Sequence, residues 1–189
     1  MDREKMRQRL AKVLREQSLE RGHFVLASGK TSDYYLDCRR TTLHPAGALL
    51  VGRLLWQAIV EQGWKPAAVG GLTLGADPVA TAVAIASELE GQGVGAFIVR
   101  KQVKSHGARR RIEGQVPADG AVVLLEDVVT TGGSTLEAAA CVREAGLTVL
   151  GALAVVDREE GGAEALATAE IPFRALFTAR ELLSGGQPG

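Results

Sequence analysis

Two carboxylates stand side by side, Glu126-Asp127, at the end of the apolar run Ala121-Val122-Val123-Leu124-Leu125. Val128-Val129-Thr130-Thr131-Gly132-Gly133-Ser134-Thr135 follows them. A buried strand leading into acids, hydroxyls and glycines, then a helix, suits a ligand site, because open α/β sheets bind ligands beyond the carboxyl ends of their strands. Thr130, Thr131, Ser134 and Thr135 offer hydroxyls. The Gly132-Gly133 backbone can approach an anion closely, and the N-terminus of the next helix adds N–H groups and partial positive charge. No Lys follows the glycines and no G-x-G-x-x-G is present, so this is neither a P-loop nor a dinucleotide fingerprint. Two acids repel a lone phosphate. They fit a ligand that joins a phosphate to a polyol, whose hydroxyls donate to Glu126 and Asp127. The plainer alternative is an acidic strand end capping the next helix.

A second cluster has the opposite sign. Residues 100–111, Arg100-Lys101-Gln102-Val103-Lys104-Ser105-His106-Gly107-Ala108-Arg109-Arg110-Arg111, carry six Lys or Arg side chains and no acid. A long polar connection inside a compact domain is more often a functional lid than filler. This charge suits a pyrophosphate, and a lid can exclude water once substrate is bound. On charge alone, a solvated loop or a nucleic-acid patch fits equally. Arg158, after the apolar run ending Val155-Val156-Asp157, can meet a carboxylate with two parallel hydrogen bonds. By itself it could equally pair with Asp157 or Glu159. His23 and His44 have no ligand partners at metal spacing, Cys141 reads as a core residue, and neither a zinc pattern nor a Ser-His-Asp set is present.

The elements that must position these groups follow from periodicity. Met6, Leu10, Val13 and Leu14 predict an amphipathic helix over residues 2–19. Phe24–Gly29 and Tyr34–Cys38 read as two short strands around a polar turn. Pro45 opens a helix running to about Gln62. Strands at Ala67–Leu72, Gly95–Arg100, Ala121–Glu126, Thr148–Val156 and Phe173–Phe177 then alternate with helices at Pro78–Leu89, Ser134–Ala145, Ala163–Ala169 and Ala179–Leu183. Apolar strands alternating with helices predict an α/β domain with a parallel sheet covered on both faces. The length, 189 residues, predicts one domain over 1–189, with 184–189 as an unstructured tail.

Composition narrows the function. Lys plus Arg (22) balances Asp plus Glu (22), which argues against a protein that coats nucleic acid. Two cysteines, Cys38 and Cys141, cannot build a disulfide scaffold. The charged start Met1-Asp2-Arg3-Glu4-Lys5 lacks an apolar leader core, and no apolar run approaches the ~20 residues of a membrane span. The expectation is a soluble, cytoplasmic protein.

The segment 121–135 resembles the phosphoribosyl-pyrophosphate (PRPP) signature of the type I phosphoribosyltransferases: an apolar strand, two acids, then Thr-Gly-Gly-Ser/Thr. The resemblance implies that fold, a mostly parallel central sheet flanked by helices with a small N-terminal hood over about residues 20–40. It also implies that Glu126 and Asp127 hold the ribose hydroxyls and that residues Val128, Val129, Thr130, Thr131, Gly132, Gly133 and Ser134 hold the 5-phosphate. Arg-Lys-x-x-Lys-x-His-Gly at 100–107 is similar to the catalytic loop of the orotate-using branch. By position Arg100, Lys101, Lys104 and His106 then contact PRPP, with Lys101, Lys104, His106 and Asp127 implied as catalytic. In that branch the loop reaches into the partner subunit's site, which implies a homodimer, and Mg²⁺ is held mainly by PRPP rather than by protein ligands. Phe24–Asp37 resembles the branch's hood, with Lys30 and Tyr35 toward the base. Some members carry a base-contacting Lys where Ala27 stands here. Asp157-Arg158-x-x-Gly161 resembles the setting of the Arg that meets the orotate carboxylate, and Thr130 adds a base contact. Val69–Pro78 resembles the pyrophosphate loop. The implied activity is transfer of phosphoribose from PRPP to orotate. The alternatives are another base or a regulatory protein that senses PRPP.

Overall fold

The computed structural model describes residues 1–25, 31–101, 111–114 and 116–185. The chain opens with α1 (Arg3–Val13), whose first turn is capped by Asp2 Oδ1 accepting from the Lys5 N–H at 2.9 Å. Met6 and Leu10 form its buried stripe, which Leu14 continues into the next turn. A π-helical turn (Leu14–Ser18) leads into the hairpin β1 (Leu19–Val25) and β2 (Thr31–Leu36), an antiparallel pair separate from the main sheet. Strand β1 therefore starts five residues earlier than Phe24. A one-turn helix α2 (Arg39–Thr42) and a long helix α3 (Pro45–Glu61) follow, the latter with Pro45 in its first turn.

The main sheet has the order β5-β4-β3-β6-β7-β8. Its strands are β3 (Ala68–Leu72), β4 (Gly95–Val99), β5 (Ile112–Gly114), β6 (Ala121–Val129), β7 (Thr148–Asp157) and β8 (Phe173–Thr178). All pairings are parallel except β4–β5, an antiparallel edge. The three-residue β5 lies inside the polar stretch read as a loop. Helices α4 (Ala76–Leu89), α5 (Gly133–Glu144), α6 (Gly162–Thr168) and α7 (Ala179–Ser184) complete the fold, and Ser184 belongs to α7 rather than to a free tail.

Alternation along β6 shows how one strand serves two cores. Val123 and Leu125 pack with α1, α3 and α4 residues such as Leu10, Leu55 and Val83. Val122 and Leu124 pack on the other face with Ala138, Val142 and Leu166 of α5 and α6. A strand buried on both faces must be apolar throughout, so an acid is tolerated only at its carboxyl end, where the sheet opens. The chain crosses from one half of the sheet to the other between β3 and β6. The crevice at that reversal of strand order is where ligands bind in doubly wound sheets.

Candidate active site

A cleft of about 520 Å³ opens at this switch point. Its walls come from the β2–α2 turn (Tyr35, Asp37, Cys38, Arg39), the β3–α4 turn (Thr73, Leu74, Gly75), Lys101 after β4, the end of β6 (Glu126, Asp127, Val128, Thr130), Ser134, and Arg158 after β7. The acids, the hydroxyl loop, one lysine and the arginine singled out from the sequence thus share one cavity.

Glu126 is 6% exposed, and Asp127 is half-buried beside it. Burial, reinforced by the Asp127 charge, pushes the Glu126 carboxyl up to about 8. Burial also raises Asp127, although the Val128 N–H donates to its Oδ1 at 2.9 Å. Two buried carboxylates in contact share a proton because both ionising together is unfavourable. The pair is packed against Gly75: a Cβ at that position meets Asp127 Oδ1 and lies 2.7 Å from Glu126 Oε1. Gly75 is therefore the residue that lets the two carboxylates reach the β3–α4 turn.

A smaller hollow of about 190 Å³ lies next to the acids, lined by Glu126 and residues 128–135. Gly132 takes φ 82° as the N-cap of α5, no side chain caps that helix, and its first turn carries no acid. The first helical bond runs from Leu136 N–H to Gly132 O, which leaves the N–H groups of Gly133, Ser134 and Thr135 without intrahelical acceptors. The Thr135 hydroxyl is buried and has no partner among the described residues. Free N–H groups and an orphaned hydroxyl around a hollow make an anion cradle.

Arg158 sits opposite. It pairs with Glu160 (Nη2 to Oε1, 2.8 Å), not with Asp157 or Glu159, and its guanidinium carbon lies 5.0 Å from the Tyr34 ring centroid. Asp157 instead accepts from the Glu159 N–H at 2.8 Å, while Glu159 pairs with Arg180 at 3.0 Å. The Arg158 N–H donates to Val129 O (2.9 Å), and a Cβ on Gly162 meets Val129 Cγ1 and lies 2.6 Å from Thr130 O. The loop after β7 is thereby seated on the loop after β6.

The base of the basic segment is defined by the Arg100 N–H donating to Arg111 O (2.8 Å) and Arg111 Nε donating to Arg100 O (3.0 Å). Arg100, adjacent to the cleft-lining Lys101, pairs with Glu113 at 3.5 Å, whereas Arg111 pairs with Glu137. Val129 is buried in the cradle wall, Thr131, Gly133 and Ser134 are exposed at its rim, and Tyr35 lines the cleft with its ring 5.7 Å from that of Phe24. Lys30, Lys104 and His106 lie outside the described residues. Sequence reasoning missed Asp37 and Arg39, which form a two-bond pair (2.8 and 3.1 Å) on the cleft wall. It left Gly75 and Glu160 without a role. Their only sequence signal is proximity to motifs whose partners lie far away in the chain.

Among the described residues, no group of three or more His, Cys, Asp or Glu could hold a metal ion, and no helix is long and apolar enough to cross a membrane. Glu126 and Asp127 alone are too few ligands for a protein-built Mg²⁺ cage. They do suit an ion that a phosphate ligand brings with it, because Mg²⁺ commonly takes one or two carboxylates plus substrate oxygens.

Fold and site together define the class: residues 41–172 match the family described as the phosphoribosyl transferase domain. The orotate phosphoribosyltransferase of Corynebacterium glutamicum (strain R) is 46% identical over 176 residues, spanning 93% of each chain. The crystal structure of Mycobacterium tuberculosis H37Rv orotate phosphoribosyltransferase in complex with Fe(III) dicitrate superposes with a TM-score of 0.84 at 42% identity, covering 94% of this chain and 98% of that one. The structure of that enzyme in complex with PRPP superposes at 0.80 and 39% identity over the same shares. This chain belongs to the orotate phosphoribosyltransferase family.

Proposed function

We propose that the chain transfers the 5-phosphoribosyl group from PRPP to orotate, giving orotidine 5′-monophosphate and pyrophosphate, as a step of pyrimidine nucleotide synthesis in the cytoplasm. The observation that carries this reading is the meeting of the Glu126–Asp127 pair, the uncapped α5 cradle and Arg158 at one cleft. The cradle at residues 128–135 takes the 5-phosphate. The acids accept hydrogen bonds from the ribose hydroxyls, which fixes the sugar and draws the pair toward its ionised form. Arg158 takes the orotate carboxylate, with Thr130, Tyr35 and Lys30 around the base.

The bond from the sugar's anomeric carbon to pyrophosphate breaks as the bond to the base nitrogen forms, through an oxocarbenium-like state. The chain's part is to hold both reactants in line and stabilise the departing charge. Lys101, on the cleft wall, and Arg100, Lys104 and His106 supply positive charge for the pyrophosphate. Mg²⁺, carried mainly by PRPP oxygens, adds charge neutralisation there.

A homodimer completes the reading, with the basic segment of each copy serving the other's cleft. Exposed Leu43, Leu74, Ile85 and Leu89 support it: with Ala48 and Ala82 they form an apolar surface over α3 and α4. That surface shares Asp37, Arg39 and Leu74 with the cleft, so a second copy seated on it stands beside the site. Orotate absorbance falls when PRPP and Mg²⁺ are added to the protein; no change overturns the assignment. Turnover of a purine instead identifies another base, and PRPP binding without turnover of any base identifies a sensor.

A further inference from the structure

Arg158 is held on several sides by the protein itself. Its backbone N–H donates to Val129 O, its Nε donates to the Tyr34 hydroxyl at 3.4 Å, and the Tyr34 ring covers one face of the guanidinium at 5.0 Å. Glu160 Oε1 takes Nη2 at 2.8 Å, and the Arg158 side chain is 9% exposed. Two other acids stand within two residues, but Asp157 accepts from the Glu159 N–H and Glu159 pairs with Arg180. Among the described acids, only Glu160 pairs with the guanidinium. Nη1 has no partner among the described residues, and Arg158 still lines the cleft with Thr130 and Tyr35.

A guanidinium presents five N–H donors in a planar fork. Tyr34 accepts from Nε, and Glu160 pairs with the guanidinium on its Nη2 side. The remaining Nη1 end of the fork is left to match a carboxylate. We propose that Glu160 is a positioning residue for the reaction: with Tyr34 it fixes Arg158 so that this free edge faces the carboxylate of the incoming base. The proposal rests on the reading of Arg158 as the receptor for that carboxylate.

Holding the side chain in advance removes the ordering cost that a free arginine carries into binding. Glu160 also sets selectivity. Its charge offsets that of Arg158, so an anion gains little from proximity alone and must match the fork to bind. A base without a carboxylate leaves the fork unpaired in a water-poor wall, which is unfavourable.

The test is steady-state kinetics of Glu160→Ala, Glu160→Gln and Tyr34→Phe, with orotate and its methyl ester as alternative substrates and a thermal melt of each variant. Glu160→Ala raises KM for orotate about fivefold, the weight of one ion pair with a half-exposed partner, while KM for PRPP stays within about twofold. The preference for the acid over the ester falls by a similar factor. Glu160→Gln, which keeps an acceptor oxygen, recovers part of the loss, and Tyr34→Phe gives a smaller change of the same kind. An unchanged KM for orotate in Glu160→Ala overturns the proposal. So does a lowered one, which makes Glu160 a competitor of the substrate. A joint rise of both KM values with a lower melting temperature reduces Glu160 to a structural role and also overturns it. If the wild-type protein fails to consume orotate, the functional reading falls first and this proposal with it.

Discussion

Replacing Glu126 with Gln makes the acid pair visible in a stability measurement without any ligand. The Glu126 side chain is 6% exposed, and burial with the Asp127 charge raises its carboxyl from 4.5 to about 8. In the unfolded chain it returns to the ordinary glutamate value. Below both values the two states bind the same proton, and Glu126 adds no pH dependence. Between them the native protein keeps a proton that the unfolded chain has released, so stability falls as pH rises. Above the native value both states are ionised and the whole penalty for a buried charge pair is present. At about 1.36 kcal/mol per pKa unit, raising the pH from about 5 to about 9 costs the wild type about 4 kcal/mol through this residue alone. Glu126→Gln has no proton to lose there. Urea unfolding of both proteins across that range isolates the pair, because titrating groups remote from Glu126 and Asp127 cancel in the difference. The wild type weakens relative to the variant by about 4 kcal/mol, with most of the change centred below the raised value. Parallel stability curves refute the account of a shared proton in a dry pair.

Three further outcomes follow from the same geometry. Gly75→Ala drives a methyl into Asp127 Oδ1 and Glu126 Oε1, so PRPP affinity falls about tenfold or more, while the melting temperature moves little because Gly75 has φ −61°; calorimetric titration with PRPP checks this. Thr135→Val removes a buried hydroxyl that lacks a partner, so the ligand-free protein gains about 1 kcal/mol while KM for PRPP rises; a lower melting temperature contradicts the cradle. Lys104→Ala lowers turnover by orders of magnitude with an unchanged circular dichroism spectrum, and near-normal turnover removes the basic segment from the chemistry.

Much of the sheet was legible because strands buried on both faces must be continuously apolar, and 121–125 and 152–156 are. The acid pair was legible for the same reason: carboxylates directly after such a run can only sit at the open edge. Elements without that signature were missed. Arg39–Thr42 is a four-residue helix with two arginines and no apolar period, and Ile112–Gly114 is a three-residue edge strand whose pairing with β4 is set by tertiary contact. The same limit applies to the site. Asp37 and Arg39 reach the cleft only because the β2–α2 turn is carried across to the end of β6. Arg158 has three acids within two residues, and local spacing does not say which one it takes. Backbone turns after β7 direct Glu159 toward Arg180 and Glu160 toward Arg158, a choice made by φ angles such as the 59° of Glu159 rather than by composition.

The seating of Gly162 against Val129 and Thr130 bears on how this enzyme family could change its diet. Any lineage that exchanges one base for another must alter the loop carrying Arg158. That loop and the phosphate loop are joined by the Arg158–Val129 hydrogen bond and by a contact that leaves no room for a methyl group. Exchanging the side chains at 158 and 160 leaves that seam in place, because it is made by the Arg158 backbone N–H and by Gly162. Insertions or deletions there do not, since shifting Gly162 also shifts the cradle that every phosphoribosyl donor needs. New specificity at this edge is therefore expected to evolve by substitution and to leave loop length untouched.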